Sequence, residues 1–178
     1  MTEVGRRLRI DPRSKIKKMI HPDDLILKPA VAEDLNYFFQ FQLDKEGIFL
    51  AAFTPKDPAD KTAYLKKMTP LLDDPTVHTC TIFLNNNIVG SVAKFEMDGR
   101  AEITYWIDRK CWGQGIATKA LENFLALEKT RPVFGRVAFD NFGSQRVLEK
   151  CGFVKTGNDK GFANGRQAEI EEFIYKLV

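Results

Sequence analysis

Histidine and cysteine are scarce in this chain, with two and three copies in 178 residues, and their scarcity closes off several chemistries. Cys80, Cys111 and Cys151 are an odd number without metal-ligand spacing, which excludes a disulfide framework and a structural zinc and fits a reducing cytosol. No metal is expected. His78 falls at the start of a strand pattern and could titrate usefully, but a lone histidine is more often simply accommodated there. A thiolate at Cys111 would be favoured by Arg109 and Lys110, but no histidine lies in that stretch to serve as its base. No apolar run approaches the ~20 residues that cross a bilayer, and the first residues carry no apolar signal core. These absences predict a cytoplasmic protein without a membrane partner. Internal repeats and low-complexity segments are also lacking.

Charge is balanced overall but unevenly spread. The first 20 residues hold seven Lys or Arg and two acids, a net +5, leaving 20 basic and 22 acidic residues beyond them, a net −2. Residues 1–22 read as a basic, solvated tail and 23–178 as one domain, since 44% hydrophobic and 29% charged residues suit a single packed core. A tail of this kind is one route to RNA, but the near-neutral domain gives no reason to expect a nucleic-acid partner.

Along the domain the patterns alternate in type. Leu25 to Lys28 reads as a strand, Ala32 to Gln42 as a helix, Leu43 to Asp57 as a loop or irregular helical region, and Pro58 or Ala59 to Leu72 as a second helix. Three strands follow, Val77 to Leu84, Ile88 to Glu96 and Arg100 to Ile107, joined by tight turns as an antiparallel meander. Ile116 to Lys129 has a broad apolar helical face. Val133 to Phe139 returns as a strand parallel to 100–107 by a right-handed crossover. Gly143 to Lys150 makes a short helix, and Phe153 to Thr156 with Ala168 to Leu177 makes a closing hairpin.

Two motifs carry chemistry. In the first, strand 100–107 runs through Trp112-Gly113-Gln114-Gly115 into Ile116-Ala117-Thr118 at a helix start. Glycines there permit a sharp turn, and the amides of the new helix, at the positive end of its dipole, suit a phosphate. A Walker loop would need Lys-Ser or Lys-Thr after Gly115, and a dinucleotide fingerprint a third Gly at Thr118, so both nucleotide readings weaken. The turn alone is compatible with a plain structural connection. The second motif is Asn141-x-x-Ser144-x-x-x-Leu148-x-x-x-Gly152-Phe153, after an apolar strand.

Together, in this order and spacing, the two stretches resemble the GNAT superfamily of acyl-CoA-dependent N-acetyltransferases. The Trp-Gly-Gln-Gly-x-Ala-Thr form, with the segment from Leu25 to Leu35, is similar to its Rim-type branch. The resemblance implies an α+β fold: a mixed, mostly antiparallel sheet of six to seven strands splayed at the acetyl-CoA site, flanked by about four helices. It implies acetyl-CoA as donor, held by Trp112, Gly113, Gln114, Gly115, Ile116, Ala117 and Thr118, with Asn141 and Ser144 along the pantetheine arm. Trp112 stands where the superfamily commonly has Arg or Gln, which leaves the phosphates to backbone amides and to Arg109 or Lys110.

Acetyl transfer to an amine needs a neutral nucleophile, a polarised thioester carbonyl and a proton for the departing thiolate. A backbone N–H at Trp106 or Ile107 would hold the carbonyl oxygen. Ser144 is the candidate donor to the thiolate, with a plain helix cap as its alternative. Glu102, alternating with Thr104 and Trp106 on one strand face, is the leading base. Glu169 ranks behind it, with Glu171 and Glu172 as further acids on the last strand. The implied acceptor is a primary amine, foremost the N-terminal α-amine of a ribosomal or other protein. A small-molecule amine, such as a polyamine or an aminoglycoside, is the alternative within enzymes, and a catalytically silent acyl-CoA-binding module the alternative outside them. The assembly is expected to be a monomer or a homodimer.

Overall fold

The computed structural model describes residues 24–178; the basic tail, 1–22, lies outside the described residues. Seven strands form one sheet: β1 (Leu25–Pro29), β2 (His78–Leu84), β3 (Asn87–Met97), β4 (Arg100–Ile107), β5 (Val133–Ala138), β6 (Val154–Ala163) and β7 (Ala168–Leu177), in the order β1-β2-β3-β4-β5-β7-β6. Among the described residues five α-helices accompany it, α1 (Leu35–Phe41), α2 (Lys45–Ala51), α3 (Lys61–Leu71), α4 (Ile116–Leu127) and α5 (Phe142–Lys150). The mixed sheet is as the motifs implied.

Every neighbouring pair is antiparallel except β4 with β5. That parallel pair is short. It joins Ala101, Glu102 and Ile103 to Val133, Phe134 and Gly135, after which the strands part. By contrast β4 pairs with β3 along its whole length. The core lies on the face carrying Ala101, Ile103 and Ile107, where Ile116, Leu121 and Phe124 of α4 and Leu148 of α5 seal it.

Local chemistry explains where elements differ from the pattern. The 43–57 region contains a regular helix, α2, because Asp44 caps it by accepting from the Gly47 amide at 2.8 Å. Asp60 likewise caps α3 through the Ala63 amide at 2.9 Å, so Pro58 stays outside the helix. The first helical segment is split, a 3-10 turn at Ala32–Asp34 preceding α1. Strand β6 runs seven residues further in than its apolar start shows, to Ala163 rather than Thr156. It is an edge strand, exposed along most of its length, and its Lys-Thr-Gly-Asn-Asp-Lys run is the polar sequence an edge tolerates.

One glycine holds the centre of the sheet. A Cβ on Gly90 of β3 would lie 2.3 Å from the Trp106 carbonyl oxygen and 3.2 Å from the Ile107 Cα, and backbone cannot yield cheaply. Gly90→Ala is expected to destabilise the fold by about 3 kcal/mol or more, read as a lower midpoint in urea. A loss under about 1 kcal/mol would mean that β3 and β4 are not this closely apposed.

Candidate active site

Where β4 and β5 part, a cleft of about 1150 Å³ passes through the sheet. Thr104 to Ile107 form one lip and Arg136 to Ala138 the other. Asp108 donates its amide to the Val89 carbonyl at 2.8 Å. With a two-residue period, the Trp106 amide turns the same way, into the β3 ladder, while those of Tyr105 and Ile107 turn toward the gap. Of the two expected backbone donors, the Ile107 amide is therefore the one facing the cleft, and the Trp106 amide is spent. Trp106 instead uses its indole, which donates to the Phe41 carbonyl at 3.1 Å. The same ring packs so closely on α2 that a Cβ at Gly47 would meet it at 2.7 Å.

The glycine turn opens on the side of α4 and α5. Gly113 and Gly115 have φ of 71° and 78°, and nothing lies within 4 Å of a Cβ built on either. Gly115 is the N-cap of α4, and no side chain caps that helix, so its first-turn amides remain available to an anion. Gly113, Gly115, Ile116, Ala117 and Thr118 line the cleft. Trp112 does too, and its indole donates to the Ile107 carbonyl at 2.8 Å, fastening the turn to the end of β4. Gln114 does not join them: its amide bends back to the Lys110 carbonyl at 3.1 Å.

Arg109, expected near the phosphates, is drawn away to α2, where it pairs with Asp44 at 3.3 Å and with Glu46. The cations that line this side of the cleft are Arg146 and Lys150, one turn apart on α5. Their i,i+4 spacing on the helix that also bears Ser144 was the signal in the sequence. Cys111 borders the cleft, but burial raises its thiol pKa, which argues against a thiolate nucleophile.

Asn141 is the N-cap of α5, accepting from the Ser144 amide at 3.1 Å and donating to the Leu50 carbonyl at 3.1 Å. Its amide is thereby engaged at both ends within the protein, on α5 and α2. The cap is Asn141, so Ser144 is not a capping serine. Its hydroxyl lies 2.7 Å from the Tyr105 hydroxyl, and both residues line the cleft.

On the opposite face of the sheet the cleft is acidic. Glu102 is 4% exposed, and among the described residues nothing hydrogen-bonds its carboxylate. Burial raises its pKa, opposed by Arg136 and reinforced by Glu172. Arg136 is doubly neutralised, by Glu172 through Nε at 2.9 Å and by Asp159 at 2.6 Å. Asp98, Glu102, Asp159 and Glu172 line this side of the cleft with the guanidinium of Arg136, and Arg100, over the Phe134 ring, adds a second positive charge that acts on Glu102. Glu169, expected as the second base, is corrected: it is 67% exposed, pairs with Lys160 at 3.6 Å, and alternation turns it to the other face of β7. Glu171 is likewise taken up by Asn158. Glu172 is the acid of the last strand that reaches the cleft.

The acceptor-side wall is α2 and the loop after it, and its end is strained. Ala52, fully buried, has φ of 62° and ψ of −59°, and Phe53 donates across it to the Ala51 carbonyl at 2.7 Å, a classic γ-turn. The tip of the β6–β7 hairpin clamps this turn. Gly165 donates to the Ala52 carbonyl at 2.8 Å, Asn164 to the Thr54 carbonyl at 2.8 Å, and Arg166 lies over the Phe49 ring while gripping Asp140.

A coenzyme A fits this arrangement: open helix amides and two cations for its phosphates, and a gap between strands for an extended arm. Residues 24–154 match the model of the acetyltransferase (GNAT) domain. The uncharacterized N-acetyltransferase p20 of Bacillus licheniformis is 22% identical over 170 residues, 89% of this chain and 95% of its own. Among solved structures, the RimL ribosomal L7/L12 α-N-protein acetyltransferase in complex with coenzyme A superposes with a TM-score of 0.73 at 20% identity, over 87% of this chain and 94% of its own. The spermidine N-acetyltransferase from Vibrio cholerae, in complex with coenzyme A and spermine, does so with 0.70 at 21%, over 86% and 96%. No described helix is long and apolar enough to cross a membrane. With motifs, splayed sheet and family match in agreement, the chain belongs to the GNAT acetyltransferase family, and its reaction is the transfer of an acetyl group from acetyl-CoA to an amine.

Proposed function

We propose that the acceptor is a peptide or protein N-terminal α-amine, bound on the acidic face of the cleft. The observation that carries this reading is Glu102, a residue only 4% exposed whose carboxylate has no hydrogen-bond partner among the described residues and opens on a basin of the cleft lined by three further acids and the neutralised Arg136. An ammonium entering there meets an attractive field, and Glu102 takes its proton directly or through water. The amine then forms its bond to the acetyl carbon as the carbon–sulfur bond breaks. The Ile107 amide faces the place where charge develops on the carbonyl oxygen, and the Ser144 hydroxyl donates to the departing thiolate. Gly113, Gly115, Ile116, Ala117 and Thr118, with Arg146 and Lys150, hold the phosphates, and the chain from residue 23 onward acts as one domain.

The same basin argues against free amino acids, whose carboxylate beside the amine would be repelled. A peptide end presents an uncharged amide at that position. Rates measured by thiol release on matched acceptors, alanine and alaninamide or serine and serinamide, test this. The amide of each pair is expected to exceed the free acid at least about tenfold in kcat/KM. Equal rates, or acetylation confined to polyamines, would overturn the assignment of the acceptor while leaving the transferase intact.

A further inference from the structure

Tyr105 has one hydroxyl proton and two acceptors in reach, both on Ser144: the side-chain oxygen at 2.7 Å and the main-chain carbonyl at 3.1 Å. A serine in the first turn of a helix commonly turns its hydroxyl back onto a carbonyl three or four residues earlier. Ser144 makes no such bond. Among the described residues its hydroxyl has one partner, the Tyr105 hydroxyl, and the pair joins α5 to β4 where that strand has left β5.

We infer that Tyr105 is a positioning residue that holds the Ser144 hydroxyl toward the cleft and directs its proton to the leaving sulfur. The inference rests on the reading of Ser144 as donor to the thiolate. While Tyr105 donates to the Ser144 carbonyl, the serine proton can rest on the phenol oxygen; turning the phenol proton onto the serine oxygen releases it. When Tyr105 donates to the Ser144 oxygen, the serine proton has no acceptor left within the protein and points to whatever occupies the cleft. Without the phenol, the hydroxyl is free to rotate onto the Asn141 or Asp140 carbonyl, and the sulfur loses its donor. The arrangement is stable because burial raises the phenol pKa, so Tyr105 remains a donor throughout the working pH range. Tyr105 touches no reacting atom in this scheme; it fixes the atom that does.

The test reads the thiol of bound coenzyme A and needs no acceptor. Its ionisation is followed by thiolate absorption in complexes of wild type, Ser144→Ala and Tyr105→Phe. Both variants are expected to raise the bound thiol's pKa by roughly half a unit or more, with the double variant no worse than Ser144→Ala alone. A shift in Ser144→Ala with none in Tyr105→Phe would overturn the role of Tyr105 and leave that of Ser144. No shift in either would overturn both. A shift in Tyr105→Phe alone would place the phenol on the sulfur and overturn its action through serine. If Tyr105→Phe does not fold, 3-fluorotyrosine at position 105 serves, being nearly isosteric and a stronger donor. It is expected to lower the bound thiol's pKa, and an unchanged value would count against the proposal.

Discussion

Glu102→Gln is expected to lose at least about 100-fold in kcat/KM for any amine acceptor and at the same time to melt later than wild type at pH 8. The first effect follows from removing a general base. The second follows from burial. A carboxyl whose pKa is raised in the folded protein favours its neutral form there. Its contribution to stability is therefore fully present below the unfolded carboxyl pKa of about 4.3 and is lost as pH rises through the folded value. At pH 8 the ionised Glu102 carries a desolvation cost that glutamine does not. For a chain of this size each kcal/mol of that cost reads as roughly 2–4 °C in melting temperature. The gain should shrink as pH falls through the folded value and be gone below about 4. In the wild type the same raised pKa puts the acid limb of the rate profile above the ordinary carboxylate range, and the glutamine variant should lack that limb. Retained activity would remove Glu102 as the base. Lost activity without the stability gain would show that the carboxylate is better solvated than its 4% exposure indicates.

Gly115→Ala is expected to weaken coenzyme A by about tenfold or more in calorimetry while costing the fold only about 1–2 kcal/mol. The strain is that of a Cβ in the left-handed region, and the weakened binding comes from placing that Cβ in the open space of the turn through which a phosphate reaches the first-turn amides. Gly99 separates the two effects. It has φ of 72° and equally open surroundings, but sits in the β3–β4 turn. Gly99→Ala should show the same loss of stability and unchanged coenzyme A affinity. If both variants bind equally well, the glycine turn serves the backbone alone.

What the sequence disclosed and what it withheld divide along physical lines. The glycine turn and the Asn141-to-Phe153 motif are local: their chemistry depends on residues a few positions apart, and both occupy the cleft. Glu102 was also legible, because alternation along one strand assigns its face without knowledge of a neighbour. Pairings across the fold were not. Glu169 and Glu172 sit three apart on the same strand, so they face oppositely, and only the register with Phe162 and Asp159 shows which one reaches the cleft. Arg109 and Arg146 are both cations near a motif, but Asp44 and Glu46, more than sixty positions earlier, claim the first. Asn141, expected along the pantetheine arm, takes the cap that was the alternative for Ser144, because a cap is decided by where the helix starts and an end can shift by one or two residues. The length of β6 was hidden since an edge strand need not bury either face.

The clamp on Ala52 has a consequence for how acceptor preference is inherited. The turn that ends the acceptor wall is fastened by contacts from more than a hundred positions downstream, so the N-terminal third does not travel as a self-sufficient cassette. A chimera that imports a relative's residues 43–57 without the matching 163–166 would bring in a wall with no fastening, and its new selectivity would blur before its catalysis failed.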